Sequence, residues 1–443
     1  MNSEEKMLRD YQLECINVIK DHFKENDRQL IQLPTGAGKT WIMADYLKKN
    51  SETALIICPN KELKYQIYDT LKMFNIKNVN LDLKPCKFNI ITSQMLAYQK
   101  NLQIIKEKNY DHIIIDEAHH SMSEIYQKLI ANISKKTKLL GLTATPERLD
   151  GKNLLDCFKH LTFKRTILEL IENGSLCDLQ AFKIKTGQKI SKRSSDFRCV
   201  DLKELDNETR NNIILKCIKE NCRNLKTLIF CLNVSHAEKI AELLKESQFK
   251  AECVHGKMSH NQIKEILNKF KIGEIQYLTN CQILTEGFDE PSIECIVIAR
   301  PTSSKSLYCQ MIGRGLRKTE KKDLCLLFEL NDNNHNICTF NTIGNEHVNI
   351  RQEYKQGIRL TELTKELKNI IEDEIVIEIK EMDVFQKNIT KNIFKNEFYE
   401  IPAHNSQKNK LNQFSIKFPE YINFLEAAFL IWKEKLKEKY GFN

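Results

Sequence analysis

The sequence predicts an α/β protein: two tandem parallel-sheet domains followed by a small, mainly helical C-terminal extension. Three observations carry that expectation. Between residues 8 and 150, short unbroken apolar runs alternate with amphipathic helical patterns. The alternation restarts at Thr227, and 443 residues with 41% hydrophobic content exceed what one ordinary core organises. A strand that is apolar on both faces belongs inside a parallel sheet with helices on either side, whereas a half-solvated strand would alternate.

The elements follow in order. QLIQL leads into a helix from Lys39, TALIICP leads into KELKYQIYDTLKMF, and KFNIITS, HIIIDEAHH and KLLGLTATP supply three more strands. In the second series TLIFCL, Thr227 to Leu232, precedes HAEKIAELLKES. AECVHG precedes NQIKEILNKFK, whose Ile263, Ile266, Leu267 and Phe270 recur at helical spacing. IQYLTNC, IECIVIARP, the helix SKSLYCQMIG and LCLLFEL complete it. The expected boundaries are 1–150 for the first domain, 151–226 for a basic inter-domain connection, 227–340 for the second domain and 341–443 for an accessory region. Within the connection, RTILELIENG is helical with Gly174 as its C-terminal stop, and KIKTGQKISKRSSD reads as an exposed turn or hairpin.

A formal charge of +9, from 68 basic and 59 acidic residues, permits polyanion binding without the lopsidedness of a histone-like protein. The surplus is uneven: residues 151–200 hold 10 basic against 5 acidic side chains, while 341–443 is balanced at 16 of each. Lys183, Lys185, Lys189, Lys192 and Arg193 are therefore candidate contacts to a phosphate backbone, the plainer alternative being a solvated linker. No apolar run approaches the roughly 20 residues of a membrane span, and MNSEEKMLRD lacks the apolar stretch of a secretory signal, so a soluble, cytoplasmic protein is expected. The 15 cysteines fit a reducing compartment, since Cys58, Cys231 and Cys295 lie in strand-like runs where a free thiol acts as a small apolar group. No CxxC pair suggests zinc.

Three motifs carry chemistry. LPTGAGKT, Leu33 to Thr40, follows a strand and opens a helix, the context a phosphate-binding loop requires. Thr35, Gly36, Ala37 and Gly38 are expected to cradle phosphates, Lys39 to reach the β and γ phosphates of ATP, and the Thr40 hydroxyl to ligate Mg²⁺. The first glycine of the general pattern is replaced here by Leu33. In IIIDEAHH a buried strand delivers Asp116 and Glu117 to the sheet edge where ligands bind. Asp116 is the expected second Mg²⁺ holder, and Glu117 the residue that orients and deprotonates the attacking water. In QMIGRGLR, Arg314 and Arg317 lie three apart on an expected helix, so both can meet charge developing on a phosphoryl group held by the other domain. His119 and Gln310 are expected to link the two faces of that cleft.

DEAH together with PTGAGKT and TATP, Thr143 to Pro146, resembles the superfamily 2 helicases and translocases, and their motif series can be followed in order across 8–320. The resemblance implies two RecA-like domains, ATP and Mg²⁺ as cofactors, and nucleic acid as partner. LRDYQ resembles the adenine-recognition element, which implies Gln12 and Arg9 at the base. CPNKELKYQ and ITSQML resemble backbone-tracking motifs, which implies contacts from Asn60, Thr92 and Ser93; LIFCLNVSHAEKIAELL and CVHGKMS resemble their counterparts in the second domain. LTNCQILTEGFDEPSI implies nucleic-acid contacts from Thr279 and Thr285 and ribose contacts from Gly287 and Asp289. QMIGRGLR matches the family's QxxGRxxR.

GLTATPERLDG, Leu33 and ILELIENGSLCDL look more like RadD-like repair helicases, type III restriction motor subunits and XPB-like translocases than like DEAD-box RNA helicases, which implies DNA. The cysteine-rich zinc element of the first and the damage-recognition element of the last are not recognisable. The alternatives are an RNA helicase, or an ATP-dependent sensor or defence component working with a partner nuclease. In the tail, Glu378 and Lys380 form the E-x-K of some metal-dependent nucleases, but with no suitably placed Asp the run reads as an edge strand. Phe424, Phe429 and Trp432 mark either a packed helix face or a docking face for a protein partner.

Overall fold

The structure is a computed structural model, which describes residues 8–144, 154–186, 205–285, 287–331, 338, 358–362, 408–409 and 411–412. The chain forms two compact units, one of Met1–Gly344 with Tyr354–Leu363 and one of Asn345–Glu353 with Thr364–Asn443. Glu378, Lys380, Phe424, Phe429, Trp432, Lys189, Lys192, Arg193, Thr145, Pro146 and Arg148 lie outside the described residues.

The first unit holds two sheets. Its first series runs α1 (Asp10–Glu25), β1 (Arg28–Gln32), α2 (Lys39–Asn50), β2 (Ala54–Cys58), α3 (Lys61–Met73), β3 (Val79–Asn80), β4 (Phe88–Thr92), α4 (Ser93–Leu96), α5 (Gln99–Lys108), β5 (His112–Asp116), α6 (Glu124–Asn132), β6 (Lys138–Thr143), α7 (Leu155–Phe158) and β7 (Leu161–Lys164). The second runs α8 (Ile167–Glu172), β8 (Asp178–Lys185), α9 (Glu208–Asn221), β9 (Thr227–Phe230), α10 (Val234–Glu246), β10 (Ala251–Val254), α11 (His260–Ile272), β11 (Tyr277–Asn280), β12 (Cys295–Ile298), α12 (Lys305–Gly313), β13 (Leu324–Asn331) and β14 (Ile358–Arg359). The sheet orders are β3-β4-β2-β5-β6-β1-β7 and β10-β11-β9-β12-β13-β8-β14.

The first sheet is parallel throughout, as its apolar runs require: β2, β4 and β5 are buried at every position. Each fully buried Ile or Leu contributes roughly 1.5–3 kcal/mol of transfer free energy, so Ile113, Ile114 and Ile115 alone anchor the strand that carries the acidic pair. Because β5, β6 and β1 are adjacent and parallel, the segments after them emerge at one edge.

The expected connection over 151–226 is not a connection throughout. β7 pairs with β1 in the first sheet, and β8 pairs along its whole length with β13 in the second. Lys183 and Lys185 therefore lie on a strand rather than on an exposed turn. The polar letters of DLQAFKIK hid that strand, because only Leu179 and Ala181 are fully buried. The second sheet also extends past residue 340, since β14 pairs antiparallel with β8. Among the described residues no helix is long and apolar enough to cross a membrane.

Two histidines are buried, His112 at the start of β5 and His236 on α10. His112 Nε2 lies 2.8 Å from the Tyr46 hydroxyl and Nδ1 2.9 Å from Ser51 Oγ, and burial, with Lys138 adding repulsion, lowers its pKa to about 4. His236 accepts the Leu232 N–H on Nδ1 and donates from Nε2 to Asn211. Burial and then the Arg210 charge lower it to about 4 as well. The unfolded chain binds protons at both near pH 6.5 while the folded chain does not. Stability is therefore complete above about pH 6.5 and falls by on the order of 2–3 kcal/mol per site as pH drops toward 4. Urea midpoints across that range should shift downward, and His112→Gln should reduce the shift by about half, leaving the His236 part; a flat profile in the unsubstituted chain would contradict the assignment.

Candidate active site between the two sheets

β1 ends at Gln32, and the chain turns through 33–38 into α2 with Gly36 (φ 87°) and Gly38 (φ 76°) in the left-handed region, where a side chain would be strained. The turn is braced from α1: the Tyr11 hydroxyl donates to the Ala37 carbonyl at 2.6 Å and Gln12 Nε2 donates to the same oxygen at 3.0 Å. Gln12 Oε1 also accepts the Arg9 N–H, closing a capping box on α1. Gln12 thus grips the loop itself, rather than standing open toward a base. Arg9 reaches across to the second half of the unit, donating from Nη1 to the Ser175 carbonyl at 2.8 Å.

Lys39, almost fully buried, donates to the Leu33 carbonyl at 3.3 Å and lies 3.7 Å from Glu117 Oε1. Glu117 follows β5 in the left-handed region (φ 49°), a conformation that costs a non-glycine residue about 1 kcal/mol or more. That turn places its second oxygen 3.4 Å from His119 Nδ1, which also lies 3.4 Å from Thr143 Oγ1 at the end of β6. Asp116 is buried beside it and accepts the Glu117 N–H at 3.1 Å. Lys39, Asp116, Glu117, His119 and Thr143, expected from separate motifs, converge here from three neighbouring strands.

The second half supplies the opposite wall. α12 ends at Gly313, because Gly313 and Gly315 weaken the helix and the last N–H groups bond three residues back: Arg314 to Met311, Gly315 to Ile312. Arg314 and Arg317 therefore lie at and beyond the helix end, not on one helical face as expected. Arg314 donates to the Phe288 and Thr285 carbonyls at 2.6 and 2.8 Å. Arg317 donates to Phe288 at 3.2 Å and pairs with Asp289 at 2.5 Å. Burial pulls the Arg317 pKa below its ordinary value, with Asp289 and Glu290 opposing. Gln310 is buried on α12.

The two walls touch. A Cβ added to Gly36 would meet Arg317 Cγ and Leu176 Cδ2 at 3.4 Å, and one added to Gly313 would lie 2.5 Å from Thr35 Cβ. Only glycine at 313 allows that approach. Among the described residues, the buried Thr35 hydroxyl has no hydrogen-bond partner. Free amides on the loop, an ammonium resting on a carboxylate and an orphaned hydroxyl fit a polyphosphate. Thr40 and Asp116 are the two residues that could offer protein oxygens to Mg²⁺, an ion that takes its other ligands from phosphates and water.

Several expected contacts are not placed for their roles. Thr279 is fully buried on β11 and donates to the Ala237 carbonyl of α10, so it offers nothing to a nucleic acid. Thr285 is buried with its hydroxyl on the Gln282 carbonyl, and Thr92 is buried where β4 meets α4. Asn60 caps α3 through the Leu63 N–H, and Ser93 donates to Pro59. Gly287 faces α3, where a Cβ would meet Leu63 and Glu62 at 3.2 and 3.3 Å, and its carbonyl accepts from Gln66. Asp289 holds Arg317 rather than standing free. Tyr11 and Leu176 also reach the loop, and the sequence signals neither beyond the LRDYQ run and the Leu of GSLCDL.

Two family models match the chain: Type III restriction enzyme, res subunit, over 5–148, and Helicase conserved C-terminal domain over 209–319. The chain belongs to superfamily 2, an ATP-dependent helicase family that includes restriction motors and XPB-like translocases. It is 31% identical over 352 residues to the putative ATP-dependent helicase IRC3 of Saccharomyces cerevisiae, covering 73% of this chain and 51% of that protein. It is 26% identical over 371 residues to the DNA 3'-5' translocase XPB2 of Sulfurisphaera tokodaii, covering 72% and 80%. Among solved structures, the ATP-dependent Type ISP restriction-modification enzyme LlaBIII bound to DNA aligns with TM-score 0.60 at 16% identity, over 100% of this chain and 40% of that one. The two sheets are tandem RecA-like domains. The chain spans about half the length of the yeast helicase it matches.

Overpacking at a close contact costs about 1–3 kcal/mol. Gly313→Ala should therefore cut ATP turnover roughly tenfold or more while leaving the thermal midpoint near that of the unsubstituted chain. Undiminished turnover would show that the halves need not meet this closely.

Proposed function

We propose that this chain is a nucleic-acid-stimulated ATPase that moves along DNA, hydrolysing ATP between its two RecA-like halves. The observation that carries the proposal is the contact between the phosphate loop and the Gly313–Arg317 segment: charge developing on a phosphoryl group at Lys39 would lie beside a guanidinium from the other half. Thr35 to Thr40 hold the phosphates, and Thr40 and Asp116 hold Mg²⁺, which neutralises phosphate charge when bound. Glu117 orients the attacking water and takes its proton, with His119 steadying the carboxylate. Arg317 acts across the cleft, and Arg314 holds the Thr285 and Phe288 carbonyls beside Asp289. Because donors and acceptors come from different halves, turnover requires closure, and repeated closing and opening is the mechanical step.

DNA is favoured because the XPB2 relative is named a DNA translocase and the LlaBIII structure was solved on DNA. The restriction-subunit match to residues 5–148 supports a second reading, a motor that works with a partner nuclease. Rates of ATP hydrolysis with single-stranded DNA, duplex DNA, forked DNA and RNA decide among these. DNA should accelerate turnover many-fold, and acceleration by RNA alone would replace DNA as substrate.

Lys39→Ala and Glu117→Gln should each lower DNA-stimulated turnover by about 10²-fold or more, with DNA binding retained in Glu117→Gln. Unstimulated hydrolysis insensitive to every nucleic acid would sink the motor reading.

A further inference from the structure

Two helices that begin near the cleft present exposed rings toward each other. Tyr65, on the second turn of α3, is 47% exposed, and its ring centroid lies 6.4 Å from that of His260, the exposed first residue of α11, with the planes tilted by 37°. One ring belongs to each half, so the pair exists only when the halves are together. An exposed tyrosine and an exposed histidine facing each other across the boundary of two halves gain little from one another, and both keep much of their surface in solvent. One helical turn from each ring is an exposed lysine, Lys61 before Tyr65 and Lys264 after His260, with Lys257 in the turn leading into α11. Among the described residues none of these three lysines has an ion-pair partner. Acidic residues are also near: Glu62 packs on Gly287, while Asp69 is exposed on the turn beyond Tyr65.

Rings and cations interleaved in this way suit an unpaired strand, whose bases offer flat faces while its phosphates pair with ammonium groups. A duplex tracked along its backbone offers the phosphates but no base face. We propose that Tyr65 and His260 form a split stacking platform for an unpaired base, so that single-stranded nucleic acid, or the single-stranded side of a junction, favours the closed cleft more than a duplex does. This rests on the motor reading above and adds the form of strand that drives it. A base lying on both rings bridges the halves at the boundary that must close for hydrolysis.

The test compares half-saturating concentrations and maximal ATPase stimulation for three polymers of equal length: oligo(dT), the same phosphodiester backbone without bases, and a blunt duplex. With the unsubstituted chain, oligo(dT) should act at concentrations about tenfold lower than the baseless strand. Tyr65→Ala should bring that ratio close to one, Tyr65→Phe should preserve it, and His260→Ala should lower it while His260→Tyr restores it. A thermal midpoint matching the unsubstituted chain checks that each variant folds. Equal activation by oligo(dT) and the baseless strand, or a ratio unmoved by Tyr65→Ala in a folded variant, overturns the platform and leaves the motor reading standing. Absence of stimulation by any polymer removes the motor reading and the platform with it.

Discussion

The close approach of a glycine-rich turn on one sheet to the end of a helix on the other is the constraint on which the rest of this structure depends. Thr35 occupies the space that a Cβ at Gly313 would need, and Arg317 and Leu176 lie against Gly36. Neither half alone holds the full set of groups that the proposed hydrolysis would use. The first supplies an ammonium, two carboxylates and free backbone donors; the second supplies guanidinium groups already oriented by the Phe288 carbonyl. Orientation before the reaction matters because charges fixed in place need no reorganisation when the transition state forms.

The acidic strand obeys the same logic. Ile113 to Ile115 are buried on both faces, so the strand is rigid, and it delivers Asp116 at its end and Glu117 just beyond it to the site. Glu117 accepts a left-handed backbone to turn its carboxylate toward Lys39 and His119. Residues held in such conformations persist when the packing beneath over-determines them, and three fully buried aliphatic side chains supply that packing here.

Much of this was legible in the letters. The phosphate loop is a local object: eight residues between a strand and a helix specify its shape, and Lys39 opens α2 as expected. Strands apolar on both faces announced the parallel sheets. What escaped depends on distant partners. Thr279 lies on a strand, and only the packing of α10 over β11 decides which face its hydroxyl takes. The letters of the arginine motif permit a helix, but the glycines at 313 and 315 end it first. β8 was hidden because a strand near the rim of its sheet keeps polar side chains, and its pairing with β13 spans well over a hundred residues of sequence.

That pairing reaches further than the cleft. β8 has β13 on one side and, on the other, the two residues of β14, which arrive from beyond residue 340 and run antiparallel in an otherwise parallel sheet. A strand with an open flank is a template for pairing with foreign chains, and a short antiparallel cover is one way to blunt it. Residues beyond 340 are thus tied into the second sheet, and a chain cut there would lose a seal on that flank along with whatever the final hundred residues do.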